Sequence, residues 1–286
     1  MKVIQWYPGH MAKTKRQIKE RLKYVDVVYE LLDARAPFSS QNPMIREITA
    51  NKPRIILLNK SDLADAKELA RWVEYFEQAG FKTLTINAMH GVNVDKIVGL
   101  SKALLEDKHQ KEAKRGLKPR PIRAMILGIP NVGKSTLINQ LVKKRATKVG
   151  DVAGITKHLQ VIRIHESLEL LDTPGILWPK FEDQEAAKKL VLIGSLKDSI
   201  VALDDVVIYG FRLLLKHYKN AFEKRYDMAL NDVDDMVEIF DTIGERRGCL
   251  KKGGVVDYER VIDIFLHDFR NQMFGKIILD RVDENV

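Results

Sequence analysis

Short apolar runs alternate with amphipathic stretches along the first 178 residues. Five of these runs are predicted as strands, at 25–32, 54–58, 83–86, 122–127 and 168–171. The first two are apolar almost throughout, as is typical of strands buried on both faces of a parallel sheet. Leu69, Val73 and Phe76 recur at helical spacing, and Gly80 ends that pattern. The alternation predicts an α/β domain over residues 1–178, with a mainly parallel sheet and flanking helices.

The pattern becomes purely helical over residues 179–286, and it predicts a smaller all-α C-terminal domain there. Apolar positions recur at helical spacing in 206–222, 233–243 and 258–269. We predict that Asn231 and Asp257 cap two of these helices and that Gly244 or Gly248 stops one. The aromatic and methionine side chains at these positions are predicted to form the core of the bundle.

The segment between the fourth predicted strand and a helical pattern at 135–142 fits the phosphate-loop motif G-x-x-x-x-G-K-[ST]. It reads Gly128-Ile-Pro-Asn-Val-Gly-Lys-Ser135. Its glycines let backbone N–H groups close around phosphates, and the helix N-terminus adds its dipole. We predict that Lys134 reaches the β- and γ-phosphates and that the Ser135 hydroxyl coordinates Mg²⁺. The predicted phosphate-binding residues are Asn131, Val132, Gly133, Lys134, Ser135 and Thr136.

Two segments downstream of this loop complete the predicted Mg²⁺ and γ-phosphate contacts. Asp172-Thr-Pro-Gly175 follows an apolar strand, so Asp172 suits a carboxylate that holds Mg²⁺ through its water shell. The Gly175 N–H suits the γ-phosphate. Thr156 is predicted as the switch threonine that completes Mg²⁺ coordination when γ-phosphate is present, and Thr147 is the alternative. Lys134 and Thr156 are therefore predicted to act in catalysis.

A guanine-recognition motif, N-K-x-D, is present as Asn59-Lys-Ser-Asp62 after the second strand. Asp62 can accept hydrogen bonds from guanine N1–H and N2–H₂, which adenine cannot offer, so such a site rejects adenine nucleotides. Lys60 would lay its stem over the base. Asn87 and Ala88 occupy the place of the usual S-A-K element, in which Ala88 or its neighbour donates a backbone N–H to guanine O6. These residues predict binding of GTP and GDP.

Each motif has a structural explanation when it is taken alone. A glycine-rich turn can serve packing, N-K-x-D can cap a helix, and D-T-P-G can be a surface turn. Four motifs that each follow an apolar strand favour a nucleotide site instead. Their order is unusual, because N-K-x-D precedes the phosphate loop, whereas it follows that loop in ordinary GTPases.

With this order, the chain resembles the circularly permuted GTPases, and among them those of bacterial ribosome biogenesis. The resemblance covers essentially the whole chain and rests on the nucleotide motifs together with Trp6-Tyr-Pro-Gly-His-Met11 and Asp33-Ala-Arg-Ala-Pro37. Ala153 departs from it, since the family usually has Pro before the switch Gly-x-Thr. The resemblance implies a GTP-hydrolysing factor in late maturation of the large (50S) ribosomal subunit, which binds that subunit and its rRNA with GTP and leaves after hydrolysis. An RNA-binding GTP/GDP sensor with little turnover and a GTPase of the small subunit are the alternatives.

The position that usually carries the water-activating residue of a GTPase has no suitable side chain in this sequence. Ile176 stands where Ras-like GTPases have a water-orienting Gln, and an alkyl side chain cannot make that hydrogen bond. We predict that His10, on the turn Tyr7-Pro-Gly, supplies this group, because imidazole can position water near neutral pH. RNA contact or helix capping by His10 is the alternative.

Asn131 matches an Asn that helps hold K⁺ in related GTPases, and bracing of the loop is its alternative role.

Charge is the last feature that changes the interpretation. The net charge of +9 is uneven, with seven Lys/Arg against one Glu in residues 1–24 and again in 108–123. Such clusters favour an RNA partner, and a solvated helix face is the alternative.

Residues 107–121 are predicted as the linker that joins the termini of the unpermuted fold. Without an apolar run of membrane length, a secretory leader or a second cysteine beside Cys249, we expect a cytoplasmic monomer with no membrane partner.

Overall fold

The computed structural model describes residues 8–143, 147–148, 161–171, 183–229 and 235–285, and only the backbone of 8–14, 143, 147–148 and 200. The described residues form two compact units, one of 8–171 with 280–285 and the other of 183–279. The predicted domain boundary after residue 178 lies outside the described residues. The end of the chain differs from the prediction, because 280–285 belongs to the first unit and not to the helical one.

The first unit is built on a mixed sheet. Its described strands are β1 (Val27–Asp33), β2 (Arg54–Asn59), β3 (Lys82–Thr85), β4 (Ile122–Leu127), β5 (Thr147–Lys148), β6 (Val161–His165) and β7 (Leu168–Leu171). Their order is β3-β2-β1-β4-β7-β6-β5. The first five strands in this order are parallel, and β6 and β5 continue the sheet antiparallel. Every residue of β1 is buried, as the apolar run predicted, and the α/β class is confirmed.

Helices flank this sheet and make up the second unit. They are α1 (Pro8–Leu22), α2 (Pro43–Ile48), α3 (Ala66–Gln78), α4 (Lys96–Leu104), α5 (Glu106–Lys114), α6 (Lys134–Lys143), α7 (Gln184–Leu192), α8 (Leu203–His217), α9 (Lys219–Tyr226), α10 (Met236–Arg246), α11 (Tyr258–Arg270) and α12 (Val282–Asn285). Helix α5 occupies the first half of the segment predicted as a linker, so only 115–121 is a non-helical connection. None of the described helices is both long and apolar enough to cross a membrane.

The path of the chain through the sheet creates a crevice at one edge. From β1 the chain moves outward to β2 and β3, and it then returns to β4 on the other side of β1. Ligands of open α/β sheets bind at such a reversal, outside the carboxyl ends of the strands. Asp33 and Asn59 end β1 and β2 opposite one another in register, and the phosphate-loop motif follows β4.

The helical unit has an aromatic core. The ring of Phe211 lies 4.7 Å from that of Phe265 and 5.4 Å from that of Phe222, measured between centroids. This arrangement confirms the predicted core at these three aromatic residues, whereas Val237 is 56% exposed and Tyr258 is 44% exposed. Its hydroxyl donates a hydrogen bond to Asp241 Oδ1 at 2.8 Å.

The ends of helix α10 test the predicted helix signals. The carboxylate of Asp235 accepts from the Val237 N–H at 2.9 Å and so caps the start of α10, whereas Asn231, which was predicted as a cap, lies outside the described residues. Gly248 follows the end of α10 with φ of +66°, as expected for a helix stop, whereas Gly244 is buried inside the helix. Asp257 does precede α11, but its side chain makes no cap hydrogen bond.

Candidate functional site

The phosphate-loop motif adopts the backbone that its glycines predict. Asn131 and Gly133 have φ of +56° and +102°, which is the left-handed region. A Cβ on Gly128 would lie 2.4 Å from the Leu31 carbonyl oxygen, and one on Gly133 would lie 2.3 Å from Asn59 Nδ2. Only glycine therefore fits at these two positions, and the loop closes tightly over the ends of β1 and β2. Its backbone and the start of α6 provide the concave cradle that a phosphate chain requires.

Lys134 is the first residue of α6 and points back into this loop. Its Nζ donates hydrogen bonds to the carbonyl oxygens of Gly128 and Ile129, each at 2.7 Å. Burial lowers the pKa of Lys134 to about 8, because the charged amine has lost part of its hydration. Ser135 is exposed beside it, and Thr136 is half-buried. The amine predicted to bind phosphate and the hydroxyl predicted to bind Mg²⁺ thus both lie at the start of α6, beside the loop.

Asn59 ties the phosphate loop to the predicted guanine loop. Its Nδ2 donates to the Val132 carbonyl at 2.8 Å, and its Oδ1 accepts from the Ala88 N–H at 2.9 Å. The amide is 3% exposed, so both hydrogen bonds are shielded from water. Of the two backbone N–H groups that the sequence predicts for guanine O6, that of Ala88 thus already donates to Asn59.

Asn87 shapes the same loop from within. Its Oδ1 accepts from the His90 N–H at 3.0 Å, and its backbone pairs with Val92 in both directions. The side chain is buried, which explains how Asn can stand where Ser is common. Asn87 therefore supports the turn 87–92 that contains Ala88.

Lys60 lies across the two loops in a left-handed conformation, with φ of +61°. Its Nζ donates to the Asn131 carbonyl at 2.9 Å and forms an ion pair with Asp33 Oδ2 at 2.9 Å. Asp62 follows in the 3-10 turn Ser61–Leu63 and is exposed, and the Ser61 N–H donates to the Ile86 carbonyl at 3.2 Å. The stem of Lys60 is thus fixed at its tip, while the Asp62 carboxylate is exposed.

Asp33 is a site residue whose role the sequence analysis missed. It is fully buried, and besides Lys60 it pairs with the Arg35 guanidinium at 2.9 and 3.0 Å. Burial alone would raise the pKa of Asp33, but the two cations outweigh it and hold that pKa well below its usual range. The signal was an acidic residue directly after a buried apolar strand. Its partner lies 27 positions away, so local spacing could not identify the pair.

Several predicted site residues lie outside the described residues. They are Thr156, Asp172, Gly175 and Ile176. Thr147 begins β5, but only its backbone is described, and the same holds for His10 in the first turn of α1. The described part of the site is therefore the guanine side and the phosphate loop.

The strand order and these loops define the class of protein. A phosphate loop after β4, joined through Asn59 to N-K-x-D after β2, is the site of a P-loop GTPase whose motifs occur in circularly permuted order. The family model described as "50S ribosome-binding GTPase" matches residues 123–235.

Relatives match over nearly the full chain. The ribosome biogenesis GTPase A of Bacillus pumilus is 49% identical over 279 residues, which is 97% of this chain and 98% of that protein. The Thermotoga maritima protein of the same description is 36% identical, over 98% of this chain and 95% of its own. A crystal structure of GNP-bound YlqF from T. maritima is 32% identical with a TM-score of 0.64, covering 94% of this chain and 98% of that one. The chain belongs to the ribosome biogenesis GTPase A family, and as such it is an enzyme that hydrolyses GTP and acts in ribosome biogenesis.

Proposed function

We propose that this GTPase acts in late maturation of the large ribosomal subunit, binds that subunit with GTP, and leaves it after hydrolysis. The observation that carries the proposal is the match of residues 123–235 to a 50S ribosome-binding GTPase family. The phosphate loop supports it, because Lys134, which would reach the γ-phosphate, would help to distinguish GTP from GDP. Mg²⁺, which Ser135, Thr156 and Asp172 would hold, would neutralise charge on the transferred phosphoryl group.

The structure separates the basic residues of 108–123 into two groups. Lys108 and Arg120 form ion pairs with the buried Asp26 and hold its pKa below its usual range against the opposing effect of burial. Arg123 pairs with Glu169. The remaining four are exposed, namely Lys111, Lys114, Arg115 and Lys118. We assign only these four to contact with an RNA backbone, and the first three to the fold.

Co-sedimentation with purified subunits tests the proposal. The protein should pellet with the large subunit in a non-hydrolysable GTP analogue and should remain in the supernatant with GDP. Turnover should rise when large subunits are added. Co-sedimentation with the small subunit instead would favour a GTPase of that subunit, and binding without added turnover would favour a GTP/GDP sensor.

Replacement of Asp62 by asparagine is expected to change nucleotide choice. The carboxylate is exposed beside Lys60, and its loss removes the acceptor for guanine N1–H and N2–H₂. We expect GTP affinity to fall by at least ~2 kcal/mol, while xanthosine nucleotides gain. Titration of the purified variant with each nucleotide measures this. Asp107→Asn, which removes an exposed carboxylate from α5, is the matched control. ATP binding by the wild-type protein would rule out this role for N-K-x-D.

Potassium should stimulate turnover more than sodium does if Asn131 helps to hold K⁺ near the phosphates. Asn131→Gly is the informative variant, because glycine accepts the φ of +56° and only the side chain is lost. We expect this variant to hydrolyse GTP at one rate in both salts at matched ionic strength. A wild-type enzyme with equal rates in both salts would leave Asn131 as a brace of the loop, in line with the Lys60 contact at its carbonyl.

The packing of α1 supports the proposal that His10 activates water. Ile18 and Leu22 of α1 belong to one buried cluster with Leu127, which ends β4, and Leu171, which ends β7. Lys15 adds an ion pair to Glu47 of α2 at 2.7 Å. The helix therefore lies along the sheet on the strands that lead into the phosphate loop and into Asp172.

The direction of α1 follows from its connection to β1. Leu22 ends the helix just before β1 starts, so we infer that α1 runs antiparallel to β1, with its first turn toward the carboxyl ends of the strands. The 12 residues from His10 to Leu22 rise by about 18 Å at 1.5 Å per helical residue. Strand β1 rises by about 20 Å from Val27 to Asp33 at 3.3 Å per residue. The backbone of His10 would thus lie near the level of Asp33, at the edge that holds the phosphate loop.

A further inference from the structure

The last segment of the chain, 280–285, is anchored in the first unit by a buried carboxylate. Asp280 is fully buried, and its Oδ2 accepts from the backbone N–H groups of Phe38 and Ser39 at 2.8 and 2.7 Å. Its Oδ1 accepts from the Ser39 hydroxyl at 2.7 Å. A charged acceptor with three donors in a buried setting makes strong hydrogen bonds, so Asp280 fixes the loop 37–40 in one conformation.

Helix α3 holds this segment from the other side. Trp72 Nε1 donates to the Asp280 carbonyl at 2.9 Å, and the Val282 N–H donates to Glu68 Oε1 at 2.8 Å. Trp72 and Glu68 are both buried. The ring of Phe38 lies 6.3 Å from that of Trp72, so the loop and the segment share one support.

The loop 37–40 leads directly to the guanine site. The Ser40 hydroxyl accepts from the Asp33 N–H at 3.1 Å, and the Ser40 N–H donates to the Ala36 carbonyl at 2.9 Å. Asp33 in turn holds Lys60 through the 2.9 Å ion pair. Ser39 and Ser40 thus connect the side chain of Asp280 to Asp33. Through Asp33 they reach Lys60, which bridges the guanine and phosphate loops.

We propose that Asp280 is a positioning residue for guanine nucleotides. Through the loop 37–40 it fixes Asp33, and through Asp33 it fixes Lys60 and the adjoining Asp62. The chain end after the helical unit is thereby part of what gives the enzyme its affinity and preference for guanine. This inference rests on the proposed assignment of Lys60 and Asp62 to the guanine base.

The test compares nucleotide binding by full-length variants at a temperature where each is folded, as shown by thermal denaturation. Asp280→Ala leaves the Phe38 and Ser39 N–H groups without their acceptor, and we expect GDP affinity to fall about tenfold. The preference for GDP over IDP should also shrink, because IDP lacks the 2-amino group that Asp62 would contact. A purely structural role would weaken both nucleotides equally.

Matched variants isolate the position of the carboxylate from its charge. In Asp280→Asn the amide oxygen can accept the two N–H groups and the NH₂ can donate to Ser39, so we expect affinity within about threefold of wild type. Asp283→Asn removes an exposed ion pair with Arg71 from the same segment and should leave binding unchanged. Ser40→Ala provides a milder probe of the same connection if Asp280→Ala fails to fold, with a loss in the same direction.

Lys60→Ala separates the positioning role of Asp280 from the assignment of the guanine site on which it rests. If it reduces the preference for GDP over IDP while Asp280→Ala and Ser40→Ala bind both nucleotides like wild type, the connection through the loop 37–40 is wrong and the guanine site stands. An equal loss of both nucleotides in Asp280→Ala would also overturn the positioning role. If Lys60→Ala itself binds like wild type, the assignment of the guanine site fails.

Discussion

Replacing Lys134 by alanine is expected to reduce GTP hydrolysis by at least ~100-fold, which is the order of effect for losing a fixed charge that faces the transition state. The amine sits at the start of α6 and already makes two 2.7 Å hydrogen bonds within the phosphate loop, so its position is fixed before phosphates bind. Single-turnover phosphate release at saturating GTP measures the loss. Ser135→Ala should have a similar effect through Mg²⁺.

A control variant and a pH series show whether the loss of hydrolysis comes from the charge of Lys134. Lys111→Ala removes an exposed lysine from α5 and should hydrolyse GTP like wild type in the absence of subunits. Because burial lowers the pKa of Lys134 to about 8, the amine is charged below that pH and becomes neutral above it. Nucleotide affinity of the wild-type protein should therefore fall as pH rises through about 8, and Lys134→Ala should lack this step. If Lys134→Ala hydrolysed GTP at the wild-type rate, Lys134 would have no role in hydrolysis.

The parts of the site that the sequence predicted well are those in which a motif follows a buried strand. Strand β4 has the predicted bounds, and the loop after it needs glycine at 128 and 133, because a Cβ would meet Leu31 or Asn59. The apolar pattern that predicts the strand is local, and the motif predicts the two glycines, although the contacts that exclude a Cβ there come from β1 and β2. The same reasoning placed N-K-x-D at the end of β2.

The parts that the sequence analysis missed depend on contacts between distant segments. Asp33 holds Lys60, which is 27 positions away. Asp280 holds Ser39 in the loop 37–40, which is 241 positions away. The segment 280–285 is short and polar, so its pattern was that of a tail of the helical domain. The hydrogen bonds of Asp280 and of Val282 show that the segment belongs to the first unit. Similarly, the charges of Lys108 and Arg120 suggested RNA, and nothing in the sequence indicated that both also pair with the buried carboxylate of Asp26.

Removal of the His10 imidazole is expected to abolish most of the stimulation by large subunits. Intrinsic turnover should be slow in the wild-type protein, since Ile176 cannot orient water and His10 would act only when subunit binding orders it beside the γ-phosphate. The packing of α1 on the strands that end at Leu127 and Leu171 directs the start of that helix to the same edge of the sheet. General-base or water-positioning groups contribute about 100-fold or more, so we expect a stimulated rate lower by that factor in His10→Ala.

The design of this experiment distinguishes catalysis from RNA contact and from helix capping. Co-sedimentation of His10→Ala with large subunits in a non-hydrolysable GTP analogue should match wild type, and so should its thermal stability, because a catalytic imidazole is needed for neither. His10→Gln, which keeps a group able to bind water, should recover part of the rate. Lost subunit binding would assign His10 to RNA, and lost stability would assign it to the cap of α1. Stimulated hydrolysis at the wild-type rate in His10→Ala would show that another residue, or the RNA itself, orients the attacking water.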